Sequence, residues 1–488
     1  ANNSIDLGNN SGWTINSPAS QNLFWVGNTG NWQDGNHWSY SSGGSPSGCS
    51  PNPFTNVFFD SNSFSATGQT VSITAATAYC KNMSWAGVTN SPVLAGPSSS
   101  LLEIYGSLGL SVNMNMTFGG PVNFEAITPG NTISMANKMF LENVNFNGIG
   151  GEWLLQDAFS TLKRITLNCG ILTTNNQSVS AAEFYSTATP FTTHRTLNMG
   201  ASNFYITGSS TCWYVSSGNF NLNCGTSTIH CINAAADFRG GDLTYYNLNF
   251  TNNTSGAAVY LSGSNTFHDV LFACKGYIIH SNSFHKTTFL GDGIIESDNS
   301  YDDLIFSAAH SYSLWSYAPN LSTTQTINGN LTAIGNCGGL IDIHSKAPGV
   351  PAIIYHPAGN INTSFLVLKD IHATGGANFT ASNSVDLGNN IGWTITPANS
   401  KDLYWIANGG NWNDGNHWSL SNGGPPSGCI PTPLDNVFFD GNSFSVTGQT
   451  VLLNTTAAYC MNITWTGATH NPTFGGSLAT LLKIYGSL

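Results

Sequence analysis

A four-residue pattern recurs along this chain: a residue that is usually polar, an aliphatic one, any residue, then a bulky apolar one. It reads NVFF at 56–59, NMSW at 82–85, LLEI at 101–104, PVNF at 121–124, NVNF at 143–146 and TLNC at 166–169. It continues as TLNM at 196–199, NLNC at 221–224, NLNF at 247–250, DVLF at 269–272, KTTF at 286–289 and DLIF at 303–306. The second positions, from Val57 to Leu304, recur at uneven intervals, with a Gly or Asn usually close behind to turn the chain. Short alternating runs bounded by turn residues are strands, and no window holds a helical period. A chain that returns to one strand about every 22 residues is a solenoid whose coils stack at about 4.8 Å. The expected fold is all-β: a parallel β-solenoid, taken as a right-handed β-helix. Alternation then places Val144, Leu167, Leu197, Leu222, Leu248 and Val270 in one inward column. Phe146, Cys169, Met199, Cys224, Phe250 and Phe272 form a second. Asn145, Asn168, Asn198, Asn223 and Asn249 face outward as a side-chain amide ladder. Asp269, Lys286 and Asp303 occupy equal outward positions with alternating charge, which marks the register. Beyond residue 310, NLTA at 330–333 and FLVL at 365–368 are further strand candidates, and 18–55 does not phase at all.

A larger repeat overlies the small one. Residues 1–108 align without a gap on 381–488, with 64 identities in 108 positions. The chain thus holds one 380-residue unit and the start of the next, as a window on a longer tandem array would. The expected organisation is the end of a preceding unit at 1–17 and a Trp-rich irregular β segment at 18–55. Solenoid coils follow at 56–397, then the second Trp-rich segment at 398–435 and the next solenoid at 436–488. At about 22 residues per coil, one unit is roughly 17 coils and about 80 Å of axis.

Only 7% of residues are charged, against about 25% in ordinary soluble domains, so polarity rests on Asn, Ser, Thr and Gly. Such surfaces repel each other little, and copies lying side by side in a homo-oligomer are expected. The net charge of −12 offers no attraction to nucleic acid or anionic membranes, and no apolar run is long enough to span a bilayer. The ten Cys contain no CxxC pair. The spacing of Cys49 and Cys80 is repeated by Cys429 and Cys460. A disulfide within each copy is expected, worth on the order of 3–4 kcal/mol, and with it an oxidising, extracellular setting. A pair of buried thiols is the alternative.

The Trp-rich segment reads GNWQDGNHWS at 30–39 and GNWNDGNHWS at 410–419. In the first reading Trp25, Trp32 and Trp38, with Trp405, Trp412 and Trp418, anchor an irregular corner to the stack. Asp34 and Asp414 then make turns before glycine, and His37 and His417 are hydrogen-bonded structural residues. In the second reading exposed Trp faces flanked by Asp and His bind a sugar. In the third the cluster docks on a neighbouring chain. No cofactor is spelled out; Ca²⁺ at Asp6, Asp34 or Asp60 stays open. His268, His285 and Asp302 recur at equal positions in successive 17-residue coils, as metal ligands or as a hydrogen-bonding corner column. Catalysis is not expected. No nucleophile or phosphate-loop motif is present, and none of Arg164, Arg195 and Arg239 shares a strand position with a carboxylate pair.

The strings WVGNTGNWQDGNHWS, CSPNPFTNVFFDSNSFSATGQTV, NMSWAG and NSIDLGNNSGW, with their second copies, carry a resemblance. The chain resembles the very large secreted repeat proteins of gliding and filamentous Bacteroidota that leave the cell by the type IX system, including those of grappling-hook-like filaments. The likeness covers about 105 residues per unit; the rest shares the coil pattern alone. It implies a structural module of a cell-surface filament or adhesin, with other cells or glycans as partners besides its own copies. A glycan-binding adhesin repeat is the alternative, and a polysaccharide lyase or hydrolase a third.

Overall fold

The structure, a computed structural model, describes every residue except 2, 3, 5–10, 17, 188–192, 255, 317–320, 456 and 477–479. Strand makes up 48% of the chain and helix 1%, so sheets alone build the core. The chain folds as two compact units, Ala1–His268 and Asp269–Leu488, and each is a stack of parallel β coils.

In the first unit a full coil carries three strands on three faces. Arg195–Asn198, Asn203–Ile206 and Ser210–Val215 form one coil; Phe220–Asn223, Thr228–Cys231 and Ala236–Arg239 form the next. Each strand pairs in parallel with its counterpart one coil on: Leu197 with Leu222, Phe204 with Ile229, Trp213 with Phe238. Corners are tight. A Cβ on Gly225 (φ +56°) would fall 2.2 Å from the Gly200 carbonyl oxygen one coil below, so only glycine stacks there. In-register pairing puts like residues one coil apart, which suits ring stacking. Phe124 lies on Phe146 at 5.0 Å and 11°, and Phe184 on Trp213 at 4.4 Å and 23°.

The coils stack as expected, but the inward column read from the sequence is not one row. Val144 sits on Ile165, and Leu167 on Phe146, on one face. Leu172, Leu197 and Leu222 line a second face, and Leu248 follows Ile229 on the third. All three strands of a coil carry the same pattern, so a column of one strand per coil passes from one face to the next where the spacing widens from Leu167 to Leu197. The residues are still core: Val144, Leu167, Leu197 and Leu248 are fully buried. The Asn ladder divides likewise into short runs. Asn145 donates to Asn123 (2.9 Å), Asn168 to Asn147 (2.8 Å) and Asn223 to Asn198 (2.6 Å). A three-rung ladder, Asn82 to Asn56 to Asn22, runs at 2.8 Å per step.

Arg195 is buried in this unit, where its guanidinium donates to the carbonyls of Ser186, Ser216 and Gly218. It ties three corners of chain together. Arg195→Leu leaves those carbonyls orphaned and is expected to cost about 3 kcal/mol in chemical denaturation of the whole chain.

In the second unit the strands are longer. Ser283–Phe289 pairs in parallel with Asn299–Phe306, which pairs with Thr324–Ile327 and Leu331–Ala333. Lys275–Ile278, Gly293–Glu296, His310–Trp315, Ile341–Ser345 and Leu366–Lys369 stack on another face. Both late strand candidates, at 330–333 and 365–368, are therefore in the stack. The charge column holds too: Lys286 is paired in register with Asp303, and its Nζ is 3.8 Å from Asp269 Oδ2. Trp393–Pro397 closes this stack on Ile371–Asp386. A new set of sheets then begins with Asp402–Trp405, parallel to Asn436–Phe438 and through it to Ile463–Thr464.

Candidate functional site

The segment at 18–55 that did not phase is itself a coil of the stack with an insertion. Gln21–Trp25 runs parallel to Thr55–Phe58, Leu23 against Val57, and Gly30 pairs with Val71. After Asn31 the chain makes a 3₁₀ turn, Gly35–His37, and returns as Trp38–Ser39, antiparallel to Gln21–Trp25 with Trp38 opposite Trp25. Trp38–Ser39 is the outermost strand of a ten-stranded sheet that is otherwise parallel. It covers the Phe24–Trp25 end of an edge that the stack would otherwise leave open. The second copy repeats this, with Trp418–Ser419 antiparallel to Asp402–Trp405.

The rings form the body of the cap. Trp25 stacks on His37 (4.9 Å, 11°) and meets Trp38 edge-on (5.0 Å, 89°); Trp32 meets Trp38 edge-on at 5.2 Å. Phe59 stacks on Trp85 at 3.8 Å. In the second copy Trp405–His417, Trp405–Trp418 and Trp412–Trp418 lie at 4.9, 5.0 and 5.0 Å. The Trp25 and Trp38 indole N–H groups donate to the Asn28 and Trp32 carbonyls, both at 2.7 Å. His37 Nδ1 lies 3.0 Å from the Val26 carbonyl, and Asp34 Oδ1 accepts from the Asn36 N–H at 2.9 Å. Two glycines make room: a Cβ on Gly30 would lie 2.1 Å from His37, and one on Gly35 2.3 Å from the Gly48 backbone.

All six indoles, Trp25, Trp32, Trp38, Trp405, Trp412 and Trp418, are at most 1% exposed, so they offer a sugar no ring face. Asp34 and Asp414 cap their 3₁₀ turns. Asp60 serves another turn, accepting from the Asn62 N–H at 2.9 Å, and Asp6 lies outside the described residues. Position 27 needs positive φ: Gly27 has +81°, and its counterpart Ala407 holds +67°. Ala407→Gly removes that strain and is expected to raise stability by about 1 kcal/mol, read as a higher thermal midpoint.

The cysteines correct the sequence reading. Cys429 is bonded to Cys337, 92 residues earlier, not to Cys460. Cys80 and Cys460 are inward residues of strands Thr77–Cys80 and Ala457–Cys460, fully buried, and Cys49 is an exposed thiol. The repeated spacing reflects duplication of a coil and its loop, not a bridge. Burial pushes the Cys80 thiol well up and that of Cys460 up to about 11.

The Cys337–Cys429 bond lies in a joint inside the second unit. The Ile430 N–H donates to the Cys337 carbonyl at 2.8 Å. Ile430 and Leu434 pack on the buried Leu340, Val367 and Val385. The Tyr459 hydroxyl donates to Asp342 Oδ2 at 2.6 Å, and His344 Nδ1 is 3.1 Å from Oδ1. Burial alone would raise the Asp342 pKa; the bond and charge of His344, the Tyr459 hydroxyl and Lys483 outweigh it and hold the carboxyl below its ordinary value. A lowered folded-state pKa stabilises fully above the unfolded value of about 4 and is lost as pH falls through the folded one. Proteolysis within 399–435 is therefore expected to rise below about pH 4 and to depend less on pH in Asp342→Asn.

The remaining candidates lie apart from this joint. His268, in the first unit, stacks on Tyr246 at 4.4 Å. In the second, His285 Nδ1 is 3.2 Å from Asp269 Oδ1, and Asp302 is exposed. A polar groove on the second unit is lined by Asp303, Asn330, Thr332, Asn360 and Asn362. Its carboxylate, Asp303, is bound by the backbone N–H and the side chain of Asn330, both at 2.8 Å. Sequence reasoning missed one outward cluster on the first unit. Arg164 pairs with Glu183 and lies over Tyr185; Tyr185 meets Tyr214; Arg239 lies over Tyr214 and pairs with Asp237. The signal was available, because Tyr185, Tyr214 and Arg239 follow one another in register. Each Arg faces one carboxylate. The Tyr185 pKa is raised, by burial first and then by Glu183, which is the wrong direction for a general base.

Fold and site together define a parallel β-solenoid that restarts with a Trp-built end cap. Comparison of the chain with models of known protein families, with curated proteins and with solved structures gives no match. Among the described residues no helix is long and apolar enough to cross a membrane.

Proposed function

We propose that this chain is a structural repeat module of a very long extracellular filament or adhesin, exported by the type IX route and displayed at the cell surface. The observation that carries this reading is the joint. A second Trp-capped stack, opened by Asp402–Trp405 as the first is by Gln21–Trp25, is docked on the coils before it and fastened there by Cys337–Cys429. A building block that carries its own cap and a covalent lock to its neighbour makes length rather than a pocket. The scarcity of charge supports lateral packing of several chains in one fibre. The disulfide supports an oxidising location, and the Bacteroidota-like strings support the family.

Negative-stain images of chains with one, two and three units test this. Thin particles that lengthen in equal steps are expected; compact particles of growing diameter would sink the reading.

A glycan-binding adhesin repeat is the second reading, moved from the buried indoles to the Arg164–Tyr185–Tyr214–Arg239 cluster, since Tyr and Arg planes suit sugar rings and acidic groups. A glycan array separates the two. Micromolar binding lost in Tyr185→Ala/Tyr214→Ala would favour the binder.

A further inference from the structure

We propose that the face bearing Cys49, Phe54 and Tyr79 is a docking surface for the Cys337–Leu387 coil face of another copy of this repeat. That copy is joined ahead of it in the same chain and locked by a Cys337–Cys49 disulfide.

The second copy supplies the template. Cys429, Leu434 and Tyr459 sit on the coils of 337–387, and their counterparts in the first copy are Cys49, Phe54 and Tyr79. The disulfide residue and the tyrosine are identical, and Phe replaces Leu with another apolar side chain. The local shape is the same: the Cys49 N–H donates to Ser47 Oγ at 3.2 Å, the Cys429 N–H to Ser427 Oγ at 3.1 Å. Two positions differ in kind, with Ser50 where Ile430 packs and Glu103 where Lys483 lies, and the cover differs too. Tyr459 is 6% exposed and Tyr79 is 37%. Thr432 is buried and its counterpart Asn52 exposed; Cys49 is exposed. The first copy thus leaves exposed Asn52 and Tyr79, whose counterparts the second copy buries in the joint.

The occupant follows from register. Residues 381–398 repeat 1–18 without a gap, so a preceding unit would place its Cys337 92 residues before Cys49, the separation seen for Cys337 and Cys429. Its Asp342 would accept from the Tyr79 hydroxyl as Asp342 here accepts from Tyr459. Closure is a thiol–disulfide exchange with a small disulfide such as oxidised glutathione. One thiolate attacks it and releases one glutathione; the second thiolate attacks the mixed disulfide and releases the other. Two protein thiols become one protein disulfide, and the oxidant leaves as two thiols.

The test lengthens the chain: residues 1–380 are placed directly ahead of Ala1 of the 488-residue chain, and both proteins are folded with a glutathione couple. Unreduced protein is alkylated and mapped by mass spectrometry. The expected map holds two linked peptides, Cys337–Cys429 and upstream Cys337–Cys49, with alkylation of that Cys49 reduced more than about tenfold against the 488-residue chain. In a Cys49→Ser version of the long chain, amide exchange around Asn52–Phe54 is expected to slow as well, because docking also uses apolar contact and the Tyr79 hydroxyl. If the inner Cys49 stays fully reactive while Cys337–Cys429 is intact, the joint is overturned; the intact bond reports that the coils have folded. Chains crosslinked to one another through the inner Cys49 would overturn its placement in one chain. The inference rests on the repeat reading but not on the filament. Lengthening particles with a reactive Cys49 would remove the joint and leave the filament, and compact particles with a closed joint would do the reverse.

Discussion

Cys429→Ser is expected to weaken the hold of the second stack on the preceding coils by about 4–5 kcal/mol, because the lost bond closes a 92-residue loop. The effect belongs to the joint. Limited proteolysis is expected to open 399–435 first, while the coils around Phe184, Trp213 and Phe238 keep their stability in denaturant. Dithiothreitol should reproduce the variant in the natural chain and add nothing to Cys429→Ser. If reduction leaves cleavage of that segment unchanged, apolar docking at Ile430 and Leu434 holds the joint without the bond.

The second large effect is expected at the cap. Trp38 is fully buried, contacts Trp25, Trp32 and Phe59 through its ring, and spends its N–H on the Trp32 carbonyl. Trp38→Ala removes the centre of that cluster and should cost about 3–5 kcal/mol. Trp38→Phe keeps much of the ring and loses one hydrogen bond, so it should cost clearly less. Denaturation curves read by amide exchange in Gln21–Trp25 and Thr55–Phe58, which lie in the first unit, measure the difference. A Trp38→Ala chain as stable as its parent would mean that Trp38–Ser39 covers nothing the stack needs.

Fold class was legible in the sequence because alternation and turn residues are local facts. Strand register was half legible. Asp269, Lys286 and Asp303 gave it correctly where coils are short and of equal length. Leu167 and Leu197 misled, because three strands per coil share one pattern and corner loops vary in length. The Trp segment resisted phasing because its insertion of Gly35–Phe54 hides two ordinary strands, Gln21–Trp25 and Thr55–Phe58, that stack directly. The disulfide is hidden in the sequence for a related reason. Duplication preserves every spacing within a copy, so equal separation of Cys49 and Cys80 says nothing about bonding. The partner, Cys337, lies outside the duplicated stretches, 1–108 and 381–488, and has no second occurrence in the chain to flag it.

The reversed strand Trp38–Ser39 has a consequence for how stacked coils find their places. Coils whose strands look alike invite slippage, one turn settling where its neighbour belongs, and in an unbroken pile the error would travel to the far end. A two-residue strand running the other way, pinned by an indole cluster that fits one place, gives each of the two copies its own starting mark. Miscounting is then confined to a single block, and the next block begins afresh.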